Sequence, residues 1–293
     1  MEKTLQPLVD GLSHGSLYAL VALGLVFVYR SSRVLNFGHG AVSTAGTYLA
    51  FFLLSRNVSF WLAFSLALLF GGGISMMFYI LVLKPAQRRD ATTLGQIILT
   101  LGMGLVLEAL IIHFGGSETQ TFPFPLSDTK TYQFGGVVIT QLNLGTLITG
   151  LLACGIFYFL IQKTPIGLAI RATSENLTAA QTLGIRTHRM LALAWNLAAV
   201  LGVLSGLFLA PTFLLDPVFM LEPFLKGIAA ATLGGLNSLP GAIVGGLILG
   251  VAEGLVGGYI SVAFKNSLAF LIILVVLLLK PEGLLGKVFV ERV

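Results

Sequence analysis

Long apolar runs, broken by short polar or glycine-rich stretches, occupy most of the chain. A helix needs about 20 apolar residues to cross the hydrocarbon core of a bilayer. The runs predict membrane helices at roughly 8–30, 36–55, 59–83, 94–114, 143–162, 190–211, 222–237, 241–259 and 264–280. The second and seventh are glycine-broken or short, so either can be re-entrant or discontinuous. The pattern predicts an all-α polytopic transmembrane helical bundle of about 8–9 segments, including short or re-entrant helices. It forms one transmembrane domain over residues 1–293, interrupted by polar stretches at 115–141 and 163–189.

Composition sharpens this reading. Apolar residues make up 56% of the 293 and charged residues only 10%, with a mean hydropathy of +0.95. A soluble domain carries about 25% charge. The 35 glycines suit helices that approach closely in a membrane. The single cysteine, Cys154, excludes a disulfide framework. The opening MEKTLQPLVDG lacks a basic leader, so the first span is expected to be retained.

Cytoplasmic loops of membrane proteins are rich in Lys and Arg. With residues 163–189 in the cytoplasm, that side holds Arg30, Arg33, Lys84, Arg88, Arg89, Lys163, Arg171, Arg186, Arg189, Lys280, Lys287 and Arg292. The opposite side holds Lys3, Arg56, Lys130, Lys226 and Lys265. This split accounts for the net charge of +5 without any nucleic-acid partner. It predicts an external N-terminus and a cytoplasmic C-terminus.

Residues 115–141 form the one substantial external loop. Alternation in Tyr132–Phe134 and Val137–Ile139 around Gly135-Gly136 predicts a small hairpin. The loop is either a plain connector or a cap over a solute path. In the basic stretch, Thr164-Pro165 can start one helix. A second is expected from Glu175 to Leu183, capped by Ser174, with Glu175 at its positive end and Gly184 ending it. Such a helix is about 14 Å long and cannot span a bilayer. Leu177, Ala180 and Leu183 share one small apolar face. It suits either a partner's groove or the headgroup layer, and the lack of aromatics weighs against the latter.

No nucleotide-cradling G-x-x-x-x-G-K-[ST] loop occurs, and no GxSxG, HExxH or paired CxxC appears. The chain is therefore expected to be no enzyme and to hold no metal. Glu108 and Glu253 are the carboxylates placed well within spans, where a charge must face protein or water. With Asn36, His39, Asn196 and Asn237 they are candidate pathway groups, or polar packing residues. Gly246, Gly250, Gly254 and Gly258 form a stripe that reads as packing ahead of pathway, and Glu253 borders it.

Four stretches resemble, in order, a branched-chain amino-acid ABC-importer permease: residues 15–40, the segment with Glu175, Ala179-Ala180 and Leu183-Gly184-Ile185, residues 224–254, and Lys280–Gly286. The resemblance implies a heteromeric importer of the bacterial inner membrane. Two cytoplasmic ATPases bind ATP and Mg, a second related permease completes the path, and an extracytoplasmic binding protein delivers solute. This chain itself would hold no cofactor. Ser174, Glu175, Asn176, Leu177, Ala179, Ala180, Leu183 and Gly184 would form the coupling helix seated in an ATPase. The apolar interior suits a neutral, partly apolar solute such as leucine, isoleucine or valine. Urea or short amides are the alternative cargo, and a self-contained channel or ion-coupled carrier is a further one.

Overall fold

The structure is a computed structural model that describes residues 2–134, 137–261 and 263–286. The Gly135-Gly136 turn, Lys287 and Arg292 lie outside the described residues. Among the described residues, twelve α-helices and one hairpin follow in order: α1 (Glu2–Ser32), α2 (His39–Ser55), α3 (Phe60–Phe78), α4 (Lys84–Arg88), α5 (Thr93–Gly115), β1 (Thr131–Phe134), β2 (Val137–Thr140), α6 (Gln141–Lys163), α7 (Pro165–Glu175), α8 (Leu177–Thr182), α9 (Thr187–Phe213), α10 (Leu221–Gly234), α11 (Leu239–Tyr259) and α12 (Phe264–Leu279). The chain is an all-α polytopic bundle.

Six helical stretches among the described residues are long and apolar enough to cross a membrane: Gln6–Ser32, Phe60–Arg88, Thr93–Gly115, Gln141–Lys163, Thr187–Phe213 and Leu239–Tyr259. The two weak spans of the sequence are α2, with 17 residues, and α10, with 14. At 1.5 Å per residue α10 reaches only about 21 Å, short of the roughly 30 Å hydrocarbon core. The last span, expected at 264–280, is α12, whose 16 residues also make it shorter than the six long helices. The third runs on through a π-turn, Tyr79–Leu83, into α4. Pro85 lies just beyond it and has no N–H to continue the α-helical ladder.

The chain divides into two compact units. One gathers the described parts of Met1–Val26, Leu126–Cys154 and Phe224–Val293; the other comprises Phe27–Pro125 and Gly155–Pro223. In the first, α1 and α11 pack through small residues. A side chain at Gly246 would overlap Ala19, one at Gly250 would overlap Gly11 and Gly15, and one at Gly254 would overlap Pro7. The expected glycine stripe is thus a packing seam. The other face of α11 meets α10, where Gly241 and Gly245 abut Gly234 and Ala230. After α12 the chain turns back and clasps the end of α10. Leu284 N–H donates to the Leu233 carbonyl (2.8 Å) and Leu285 N–H to that of Gly234 (3.0 Å). These are carbonyls that a helix end leaves without an internal partner.

In the second unit, α2, α3 and α9 form the core. Val203 of α9 fills a notch made by Gly46 and Gly71. Trp195, fully buried, lies against Phe78 and Tyr79, with ring centroids 5.8 and 6.2 Å away. Residues 120–124 of the polar loop are held down on this unit. Gln120 and Leu215 exchange both backbone hydrogen bonds, and Phe124 packs edge-on against Phe60 and Phe208. The hairpin pairs Thr131 with Thr140 and Tyr132 with Ile139, the alternation expected from sequence. In the first unit, the Gln6 side-chain amide donates to the Val138 carbonyl and accepts from its N–H, extending the strand edge.

Candidate functional site: the basic insert and the buried polar groups

The basic stretch folds as two short helices. Thr164 caps α7 by accepting from Gly167 N–H (3.1 Å), and Pro165 stands in its first turn. Gly167 is required there, because a Cβ would overlap the carbonyls of Leu160 and Ile161 at the α6–α7 corner. Arg171 braces the corner by donating to the side chain and backbone of Gln162.

The second helix starts later than expected. Ser174 does not cap it; its hydroxyl donates to the Ile170 carbonyl within α7 (2.8 Å). Glu175 closes α7 and does not sit in the first turn of α8. Asn176 is the cap, accepting from Ala179 N–H at 2.9 Å. Its backbone is extended (φ −150°, ψ 105°), which a cap residue requires, and Asn caps at least as well as Ser. Leu183 is the C-cap, and Gly184, at φ +80°, carries the chain out in the left-handed conformation. Gln181 ties α8 to Thr187 at the start of α9 (3.1 Å).

The apolar face of α8 is split. Ala180 is buried, whereas Leu177 and Leu183 are 43% and 80% exposed. Glu175, Asn176, Thr178 and Ala179 are also exposed. The insert therefore has fixed ends and an outward crest carrying two uncovered leucines. Arg30 of α1 lies within electrostatic reach of Glu175, Arg171 and Arg33.

Asn36, His39, Glu108 and Asn196 fall in one unit; Asn237 and Glu253 fall in the other. Asn36 is buried and accepts from Gly38 N–H (3.1 Å), steadying the entry to α2. Thr100 of α5 braces the same entry by accepting from Phe37 N–H (3.1 Å). His39 is buried against Gly202 of α9, and its Nε2 has no partner among the described residues. Glu108 is half-buried on α5. Asn196 is half-buried beside Gly72, and Asn237 holds a buried Oδ1 without a partner among the described residues.

Glu253 is not isolated. Lys226 Nζ lies 2.7 Å from its Oε1, and the two side chains are 3% and 9% exposed. The same ammonium donates to the Tyr18 hydroxyl (3.3 Å) and stands 5.3 Å from the centre of that ring. This overturns the placement of Lys226 among loop cations: it lies inside α10. The signal was present, since Lys226 falls within the apolar run at 222–237, one segment before Glu253.

The profile of the branched-chain amino acid transport system permease component matches residues 8–279. The chain belongs to this family. It is 31% identical to the high-affinity branched-chain amino acid transport system permease protein LivH of Escherichia coli K12, over 99% of this chain and 97% of that protein. It is 32% identical to BraD of Pseudomonas aeruginosa, over 99% and 98%. The guanosine ABC transporter permease protein NupQ of Bacillus subtilis is 29% identical over 67% of this chain and 64% of its own. The fold is similar to that of PsaBC from Streptococcus pneumoniae (TM-score 0.51, 13% identity, 95% and 92% covered). It is also similar to a metal-chelate type ABC transporter in an inward-facing conformation (TM-score 0.52, 16% identity, 94% and 87% covered). The chain is a multi-pass membrane permease, the transport component of its system.

Proposed function

We propose that this permease moves a neutral amino acid inward across the cytoplasmic membrane, by alternating access driven by ATP hydrolysis on partner chains. Leucine, isoleucine and valine are the expected solutes. The observation that carries the reading is the α7–α8 insert: a six-residue helix, anchored at both ends, whose exposed crest bears Leu177 and Leu183. Such a knob fits a cleft in another protein. Two cytoplasmic ATPases, holding ATP and Mg, would grip it. Residues 174–184 would then act as the lever that reorients the spans.

In this arrangement residues 163–189 and the C-terminus face the cytoplasm. Residues 115–141 face outward, towards a solute-binding protein, and a second related permease supplies the other wall of the path. Glu108, Asn196 and Asn237 retain accessible surface, so they can line a path directly. Asn36, His39 and Glu253 are buried and meet solute only if helices part.

Relatives named for guanosine and autoinducer 2 show that similar permeases serve other cargo, which leaves a second reading in which the same machine carries another small neutral solute, with urea or a short amide as the alternative. Purification from native membranes should bring down an ATPase and a second permease. Reconstituted with both and with the binding protein, the complex should take up leucine only with ATP. Leucine uptake without the ATPase would replace the importer by a carrier. ATP-driven uptake of amides but not leucine would replace only the cargo.

A further inference from the structure

The seam between α1 and α11 repeats every four residues on both sides. Pro7, Gly11, Gly15 and Ala19 face Gly258, Gly254, Gly250 and Gly246 in antiparallel order, each α11 glycine meeting the backbone or ring of its α1 partners. Ala242, fully buried, continues the small positions along α11. A periodic seam has a weakness. Sliding α11 by four residues along α1 places small against small again and brings Ala242 opposite Ala19. The displacement is about 6 Å at 1.5 Å per residue. Close packing of small residues is strong in a membrane but does not choose between such registers.

One contact in this region does not repeat. Lys226 of α10 reaches both helices of the seam, pairing with Glu253 of α11 at 2.7 Å and donating to Tyr18 of α1 at 3.3 Å. Any slide along the seam separates Tyr18 from Glu253 by a full turn, and one ammonium can no longer serve both. A buried ion pair contributes little stability over apolar side chains of equal volume, and its best-attested use is to select one register. We propose that Lys226 is the register pin of the α1–α11 seam, a positioning residue that fixes how far the two helices overlap.

The test measures axial position directly. Spin labels on cysteines replacing Leu8 of α1 and Val244 of α11, in a Cys154→Ala chain, report overlap as an electron–electron distance. The wild-type seam gives one peak. In Lys226→Met/Glu253→Met, which removes both charges of the pair, a second peak displaced by about 6 Å is expected. The exchanged pair Lys226→Glu/Glu253→Lys should restore the single peak. Tyr18→Leu, which frees only the α1 end, should also give two peaks and serves if the double variant does not assemble. A single unshifted peak in the double variant, or in Tyr18→Leu in its place, overturns the proposal. A second peak that persists in the exchanged pair overturns it too, because volume and not charge would then set the register.

Discussion

Gly15 and Gly250 pack backbone to backbone: the Cα of Gly15 occupies the space that a side chain on Gly250 would need. Neither helix can yield locally, since Gly11 closes the other side of the same notch. Gly250→Leu should therefore force α1 and α11 apart. Overpacking costs about 1–3 kcal/mol even where neighbours relax, and here the obstacle is backbone. Complex yield and melting temperature in detergent should both fall. Gly102→Leu is the control, because nothing stands within 4 Å of its Cβ position and it should behave as wild type.

Leu183 projects from α8 with 80% of its surface uncovered. Leu183→Asp should leave folding and yield unchanged while uncoupling ATP hydrolysis from uptake. Asn176→Ala should act differently, removing the side-chain N-cap of α8 at a cost of about 1 kcal/mol. Amide exchange over 177–182 should rise in that variant and stay unchanged in Leu183→Asp. Loss of folding or yield of the permease chain itself in Leu183→Asp would contradict this division of roles.

Gly283 sits at φ +79°, and the Gly235 backbone occupies the space that a Cβ there would need. Gly283→Ala meets both a left-handed backbone and a blocked Cβ, and should cost about 2 kcal/mol. The clasp on Leu233 and Gly234 should open. Protease sensitivity after α12 should then increase, with the α1–α11 seam intact.

Phe122 is 3% exposed although it lies in the polar loop. Phe122→Ala should remove about 3 kcal/mol of local anchoring and free residues 117–130. Limited proteolysis within that stretch is the measurement; resistance equal to wild type would mean that the Gln120–Leu215 bridge alone suffices.

Much of this architecture was legible from local pattern. The membrane segments follow from runs of apolar residues, and the hairpin from alternation around two glycines. The α11 seam follows from glycines at fourfold spacing, and the start of α7 from Thr164-Pro165. Each rests on periodicity or backbone preference within a few residues, which neighbours in sequence express by themselves. Three features needed the folded chain. Asn176 displaced Ser174 as the cap because α7 runs one residue past Ser174 and leaves its hydroxyl bonded backwards to Ile170. His39 came to lie against Gly202 because α2 and α9, far apart in sequence, pack as neighbours. Lys226 found Glu253 and Tyr18, which lie 27 and 208 residues away. An ammonium in an apolar run is costly until a counter-charge meets it, and only the packing of three helices brings one within 2.7 Å.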